Sequence, residues 1–293
     1  MGTIKIFDTL SNSEKYLEFQ DKVRIYLCGV TVYDDSHIGH ARTIIVFDVL
    51  RRFIESKGIK VDFIQNFTDV DDKIIKKAND AESSCESISK KYIEGYFDDF
   101  DRLNIKRATE HPKATEHIPE MLNLVSILIE KNMAYVSKNG VYFRVSKFTD
   151  YGKLSKKRVE DLESGARIEI DESKENPLDF ALWKFSDSDP SWESPWGNGR
   201  PGWHIECSAM SIKYLGEDFE IHGGGRDLIF PHHENEIAQS ESFTGKPFAK
   251  IWMHAGMITI NGEKMSKSIG NVKTVSHVLG HWGSNIIRLF CLS

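Results

Sequence analysis

Two groups of imidazole and ammonium side chains, about 230 residues apart, are where this chain could do chemistry: His37-Ile38-Gly39-His40 and Lys264-Met265-Ser266-Lys267-Ser268. The first follows an apolar run from Val23 to Val32 and opens a helical pattern with Ile44, Ile45, Phe47, Val49, Leu50, Phe53 and Ile54 on the buried side. Strand, turn and helix in that order make a phosphate site. Gly39 lets a nucleotide approach the backbone, the helix N-terminus favours negative charge, and His37 and His40 can donate hydrogen bonds to a phosphate. Lys264 and Lys267 add two mobile positive charges. Such a set would assist an acyl-phosphate reaction by stabilising charge on an α-phosphate and a departing pyrophosphate.

A second set has metal-ligand character. Pro231 suits the first turn of a helix running through Glu241, which puts His232 and Glu236 four apart on one face. Cys207 falls in a helical stretch from Ile205 to Tyr214, and Cys28 closes the first apolar strand beside the histidine signature. Two thiols, an imidazole and a carboxylate suit zinc by softness and number. Spacing alone does not unite them: Cys28 and Cys207 are 179 residues apart and form no finger motif. Read without context, a cysteine in an apolar strand is buried structure, and His232 or His233 is a cap or a packed ring.

The elements that must position these groups follow an α/β pattern. Val23 to Val32 reads as a strand, Arg42 to Lys57 as a helix, and Val61 to Asn66 as a second strand. Ile74 to Leu103 and His117 to Lys131 read as helical. From Gly140 to about Gly199 the pattern breaks into short strands and loops, and Phe219 to His222, before Gly223-Gly224-Gly225, is a further sheet strand. The glycines read either as a flexible turn or as a place where a ligand approaches the backbone. The expected fold is α/β, a Rossmann-like doubly wound parallel sheet with an inserted α+β subdomain.

The chain of 293 residues is 40% apolar, enough for a sizeable core. No run reaches the roughly 18 apolar residues of a membrane span, and the N-terminus lacks a signal-peptide pattern, so a soluble, cytoplasmic protein with no membrane association is expected. Cys28, Cys85, Cys207 and Cys291 lie far apart and suggest reduced thiols or metal ligands; Cys85 and Cys291 join no motif. With 38 basic against 44 acidic residues, any nucleic-acid contact must be local. Lys153, Lys156, Lys157 and Arg158 could form such a patch but read equally as solvated surface. Asp69, Asp71 and Asp72 are read as a cap for the following helix rather than a second metal site.

Taken together, these segments resemble the cysteinyl-tRNA synthetase family of class I aminoacyl-tRNA synthetases. Besides the two signatures, the resemblance is carried by Cys28-Gly29-Val30-Thr31-Val32-Tyr33-Asp34, by Asn66-Phe67-Thr68-Asp69-Val70-Asp71-Asp72-Lys73 and by Asp179-Phe180-Ala181-Leu182-Trp183-Lys184. It continues through Arg200-Pro201-Gly202-Trp203-His204-Ile205-Glu206-Cys207-Ser208, His222-Gly223-Gly224-Gly225 and Phe230-Pro231-His232-His233-Glu234-Asn235-Glu236. It implies one zinc ion on Cys28, Cys207, His232 and Glu236, and magnesium with ATP. His37, His40, Lys264 and Lys267 would be catalytic. Gly39, Gly223, Gly224, Gly225, Asp227 and Lys267 would hold the nucleotide, and Thr68, Trp203 and His204 would surround the amino acid. The partners implied are L-cysteine, ATP and tRNA(Cys), the enzyme being a monomer. A soft metal that binds thiolate would separate cysteine from serine, so no editing domain is expected.

The resemblance also divides the chain: residues 1–115 and 200–258 as two halves of the catalytic sheet domain, 116–199 as a connective insert, and 259–293 as the lysine-signature loop and the start of a stem-contact region. Family members continue into a helical bundle that contacts tRNA, whereas 25 residues follow Ser268 here, so the chain is expected to be a C-terminally shortened fragment. Two rivals stand beside the synthetase reading. One is the related ligase that joins cysteine to an amino sugar; the other is a non-catalytic paralogue that senses cysteine or a nucleotide.

Overall fold

The computed structural model describes residues 2–19, 21–158, 173–260, 263–265 and 270–293. It opens with an antiparallel hairpin of β1 (Gly2–Asp8) and β2 (Ser13–Phe19), in a region where the sequence reading names no element. Ile6 and Leu17 are buried while Phe7 and Tyr16 face outward, the two-residue alternation of a half-buried ribbon. β3 (Lys22–Thr31), α1 (Ile38–Glu55) and β4 (Lys60–Thr68) then make a βαβ unit with its strands parallel.

Apolar spacing predicts one helical stretch from Ile74 to Leu103; the structure divides it into α2 (Asp72–Asp80) and α3 (Cys85–Arg102). The cause is local. Glu82 takes a φ of 48°, in the left-handed region, and the Ser84 side chain caps the second helix by accepting from the Ser87 N–H. Asp71 caps α2 through the Lys73 N–H, as expected, but Asp69 turns away to accept from the Thr115 backbone and hydroxyl.

After α4 (Ile118–Glu130) the chain builds a separate antiparallel sheet from β5 (Ala134–Ser137), β6 (Gly140–Phe143), β7 (Phe180–Phe185) and β8 (Gly199–Pro201). Three of the four cations considered as a nucleic-acid patch make contacts within the fold. Lys153 pairs with Glu241, Lys156 donates to the Leu10 carbonyl at 2.6 Å, and Lys157 lies 4.3 Å from the Phe230 ring centre.

The chain returns to the parallel sheet through α5 (Trp203–Leu215), β9 (Phe219–Gly225), α6 (Glu234–Thr244) and β10 (Ala249–Ala255). The strand order is β10-β9-β3-β4, parallel throughout. Alternate residues of β3 feed two cores. Val23, Ile25 and Leu27 pack with α1, whereas Tyr26 and Cys28 pack with α4, α5 and α6 on the other face, so the sheet is doubly wound. The winding runs outward from β3 to β4 and from β9 to β10. Its direction therefore reverses between β3 and β9, and an open α/β sheet has its crevice at the carboxyl ends of such a pair.

Gly223, Gly224 and Gly225 are the last residues of β9 and not a flexible turn. Their role is spatial. A Cβ at Gly223 would run into the Phe47 ring, and one at Gly224 would lie 2.9 Å from both Leu228 and the His233 ring. β11 (Thr259–Ile260) and β12 (Glu263–Lys264) pair beyond β10, and α7 (Val275–His281) and α8 (Ser284–Leu292) follow. α8 is tied to α1 by Arg288, which meets the buried Asp48 carboxylate at 2.7 Å; Ile287 and Cys291 are buried, while Ile286, Leu289 and Phe290 are exposed. No described helix is long and apolar enough to cross a membrane.

Candidate active site

At the reversal between β3 and β9 lies an open cleft of about 330 Å³. Its first wall is the histidine signature. His37 is the N-cap of α1: its Nδ1 accepts the His40 N–H at 3.3 Å, and the His40 Nδ1 accepts the His37 N–H at 3.4 Å. The rings stack with centroids 3.6 Å apart. This reciprocal capping box settles the tautomers, because a nitrogen that accepts a backbone N–H carries no proton in the neutral ring. Each imidazole then carries its proton on Nε2, and both rings line the cleft at the positive end of an 18-residue helix.

At Gly39 a Cβ would crowd the His37 ring at 3.0 Å and touch the methyl of Met265 at 3.4 Å. Met265 lines the cleft from the lysine signature. Lys264 belongs to β12, but its side chain and the whole of Lys267 lie outside the described residues. The segment that follows is stitched to the histidine signature: Ile38 N–H donates to the Lys273 carbonyl at 3.0 Å and Val275 N–H to the Ser36 carbonyl at 2.8 Å. Met265 and the segment around Lys273 are thereby brought to the histidine signature.

The opposite wall holds the donor set. Cys28 comes from β3, Cys207 from α5, Glu236 from α6, and His232 from the single turn Ile229–His233 that precedes α6. Sequence reading places His232 and Glu236 on one continuous helix. The structure breaks at Phe230, just before Pro231, and a turn of π type runs on into α6, with His232 Nε2 3.0 Å from Glu236 Oε1. Cys28 Sγ lies 3.7 Å from His232 Nε2 and 3.3 Å from Glu236 Oε1. Ligand atoms of all four fall within 4.8 Å of one another, and every residue is buried. A tetrahedral zinc with bonds of about 2.0 to 2.3 Å separates its ligand atoms by roughly 3.5 Å, so the donors fit in distance as well as chemistry.

A second group shares two of these donors: Cys28, His222, His233 and Glu236. Sequence reading missed His222 and His233 as site residues. The available signal was that His233 is three residues before Glu236, a spacing that shares a helix face as well as four does. Cys28, Cys207 and His232 line the cleft whereas His222 and His233 stand behind them, so the first group is the one a substrate could reach. His222 Nε2 is 2.8 Å from Glu236 Oε2, the position of a partner that orients a ligating carboxylate.

His232 and Glu236 form a buried ion pair and burial pushes the Cys28 thiol up, so a metal ion would bind by displacing the protons on His232 Nε2 and Cys28. Burial opposes ionisation of Glu236, but His222 and His232 beside it hold the carboxyl well below its usual range. Burial likewise opposes a cationic His232, yet the Glu236 charge and hydrogen bonds to Cys207 and Glu236 raise it. His204 is driven well below its ordinary value by burial and by neighbouring His232, so it is neutral. Its Nδ1 lies 3.0 Å from the His232 Nδ1, and a neutral His204 accepts there while His232 donates. His204 thus acts through His232 and does not line the cleft. Trp203 does line it, with its ring stacked on His232 at 4.2 Å.

Thr68, at the end of β4, lines the same end of the cleft. Gly225 and Asp227 line the end of β9, where a Cβ on Gly225 would strike the Asp227 carboxylate. Gly223 and Gly224 lie below the cleft floor, packed against Phe47 and His233.

The fold and the two walls define a class I aminoacyl-tRNA synthetase catalytic unit. The chain belongs to the family described as tRNA synthetases class I (C) catalytic domain, which it matches over residues 15–293. It is 59% identical to the cysteine–tRNA ligase of Thermodesulfovibrio yellowstonii, covering 99% of this chain and 61% of that protein. Identity to the cysteine–tRNA ligase of Carboxydothermus hydrogenoformans is 57%, covering 99% of this chain and 63% of that one. The chain therefore spans about three fifths of the length of these relatives. Among solved structures, Mycobacterium tuberculosis methionyl-tRNA synthetase in complex with methionyl-adenylate matches with a TM-score of 0.74 at 17% identity, over 93% of this chain and 64% of that chain. That likeness establishes the Rossmann-like fold alone.

Proposed function

We propose that this chain is the catalytic part of a cysteine–tRNA ligase: it activates L-cysteine with ATP to cysteinyl-adenylate and passes the cysteinyl group to the 3′ end of tRNA(Cys). The observation that carries the reading is one cleft lined on one side by paired imidazoles at a helix N-terminus and on the other by a thiol-rich donor set. The names of the relatives favour tRNA over an amino sugar as the acceptor.

In this reading the cysteine carboxylate attacks the α-phosphate of ATP, and the chain's work is positioning and charge stabilisation. His37 and His40 donate from Nε2 toward the phosphates. Lys264 and Lys267 would add positive charge to stabilise the phosphates. Gly39 and Gly225 admit the nucleotide to the backbone, and Asp227 faces it. Gly223 and Gly224 contribute by letting the strand pack closely below. Thr68 and Trp203 surround the amino acid, and His204 orients His232. Zinc bound by Cys28, Cys207, His232 and Glu236 would supply a soft Lewis acid that favours thiolate over a serine hydroxyl, and magnesium would accompany ATP.

The proposal keeps the division into 1–115, 116–199, 200–258 and 259–293, with the antiparallel sheet of β5 to β8 supporting an insert between the halves of the parallel sheet. It also keeps a monomer in the cytoplasm, a reducing setting in accord with the four free cysteines. Cysteine-dependent exchange between ATP and pyrophosphate tests the reading, with serine as control and zinc content measured on the same sample. Exchange with cysteine and not serine is the expected result. Zinc-loaded, folded protein that supports no exchange would overturn activation by this unit, and an acceptor assay with tRNA against an amino sugar checks the second half-reaction.

A further inference from the structure

Glu206 has no part in the mechanism above, although it precedes Cys207 on α5 and is 1% exposed. Its Oε2 accepts the hydroxyl proton of Thr68 at 2.8 Å; burial pushes the carboxyl well above its usual range, and with Oε2 engaged by Thr68 any proton it keeps is on Oε1. Its other oxygen, Oε1, is buried and has no partner among the described residues. Thr68 lines the cleft and Glu206 stands directly behind it.

A threonine hydroxyl has one proton and two lone pairs. Once the proton is committed to Glu206, the oxygen offers the cleft an acceptor and nothing else. The complementary group on an amino acid is its α-ammonium, since the carboxylate and the thiolate are acceptors themselves. We propose that Glu206 is a positioning residue that holds Thr68 as the acceptor for the α-ammonium group of the substrate. The inference rests on the reading of this cleft as an amino-acid site and adds the group by which the backbone end of that amino acid is recognised.

The fold explains why the arrangement lies beside the donor set. Asn66 and Thr68 are two apart on β4 and share a face. Asn66 Oδ1 lies 3.7 Å from Cys207 Sγ, and Thr68 meets Glu206, so adjacent residues of one helix meet alternate residues of one strand. One contact holds a thiol of the metal set, and the other orients the hydroxyl next to it.

The test uses the zinc-loaded chain and measures binding of cysteine and of 3-mercaptopropionate, which keeps thiol and carboxylate but lacks the amino group, by calorimetry. Glu206→Met removes the acceptor at similar volume. It is expected to weaken cysteine by about 10- to 100-fold, the cost of a hydrogen bond to a charged group, and to leave 3-mercaptopropionate unchanged. Glu206→Gln, which retains an acceptor oxygen, is expected to restore cysteine binding. Thr68→Val should reproduce the selective loss with Glu206 in place, and adding Glu206→Met to it should cost nothing more, because the two act through one contact. Equal weakening of both ligands, additive losses in the double variant, or unchanged cysteine binding in Glu206→Met would each overturn the inference alone. Wild-type protein that holds zinc but binds no cysteine would overturn the amino-acid reading and this inference with it.

Discussion

The two walls of the cleft are built in different ways. The donor wall is interior: Cys28, Cys207, His232 and Glu236 are buried, come from one strand of the sheet and three segments packed on one of its faces, and are held by His204 and His222. The phosphate wall is a helix terminus at the surface, completed by a segment that joins it through a few backbone hydrogen bonds around Ser36, Ile38, Lys273 and Val275. Selection of a small thiol calls for donors fixed to within fractions of an ångström. Stabilising a nucleotide that must enter and leave calls for groups that can move. One wall is thus part of the core, and the other is assembled on its edge.

Breaking the donor wall should have the largest effect. Cys207→Ser is expected to reduce zinc affinity by more than the roughly 10- to 100-fold that loss of a supporting contact costs, and to remove preference for cysteine over serine. Zinc measured at full stoichiometry in that variant would remove Cys207 from the ligand set. On the phosphate wall, Lys267→Ala should slow pyrophosphate exchange by about 100- to 1000-fold, the usual cost of one lost charge-stabilising donor, with zinc content unchanged. If zinc fell together with rate, the two walls would not be independent.

The scaffold on the other face of the sheet from the donor wall should show a pH signature. His111 stacks on Phe67 at 5.2 Å, accepts the Ala108 N–H on Nε2, and donates from Nδ1 to the Gln65 carbonyl, so it is half-buried and held in the neutral form. Burial depresses it from 6.5 to about 4. A histidine with a depressed folded pKa contributes stability that is complete above the unfolded value and is lost as pH falls through the folded one. Unfolding free energy should therefore drop by up to about 3 kcal/mol between pH 6.5 and 4. His111→Gln should flatten that slope, and denaturant titrations of both proteins across the window would expose an equal slope if the assignment is wrong. The smallest effect is expected at the α2 cap, where Asp71→Ala should cost about 1 kcal/mol in the same titration and leave zinc and exchange intact.

Legibility differed from element to element. The strands at β3 and β4 and the helix after the histidine signature were visible because hydrophobic period and signature coincide in one local stretch. The break between α2 and α3 was hidden because a single left-handed residue, Glu82, interrupts an otherwise continuous apolar period. The N-terminal hairpin went unnamed because its apolar residues are sparse, with Phe7 and Tyr16 on the exposed side. Residue type left the three glycines open between a flexible turn and a place where a ligand nears the backbone, because glycine permits both. Here they are extended strand, and their small size serves the packing of Phe47 and His233.

By itself the sequence determined the kind of chemistry this protein can host: thiol, imidazole and carboxylate donors, a glycine at a helix start, and a lysine signature. Only the tertiary structure decided which of those donors meet. Cys28 and Cys207 are brought together by a sheet whose winding reverses between β3 and β9, and no local periodicity encodes that distance. The same packing placed His222 and His233 behind the first donor group, turned Thr68 toward Glu206, and drew three cations of the central segment into contacts within the fold. Those outcomes depend on side-chain direction and on contacts between elements far apart in the chain, which residue type and spacing do not carry.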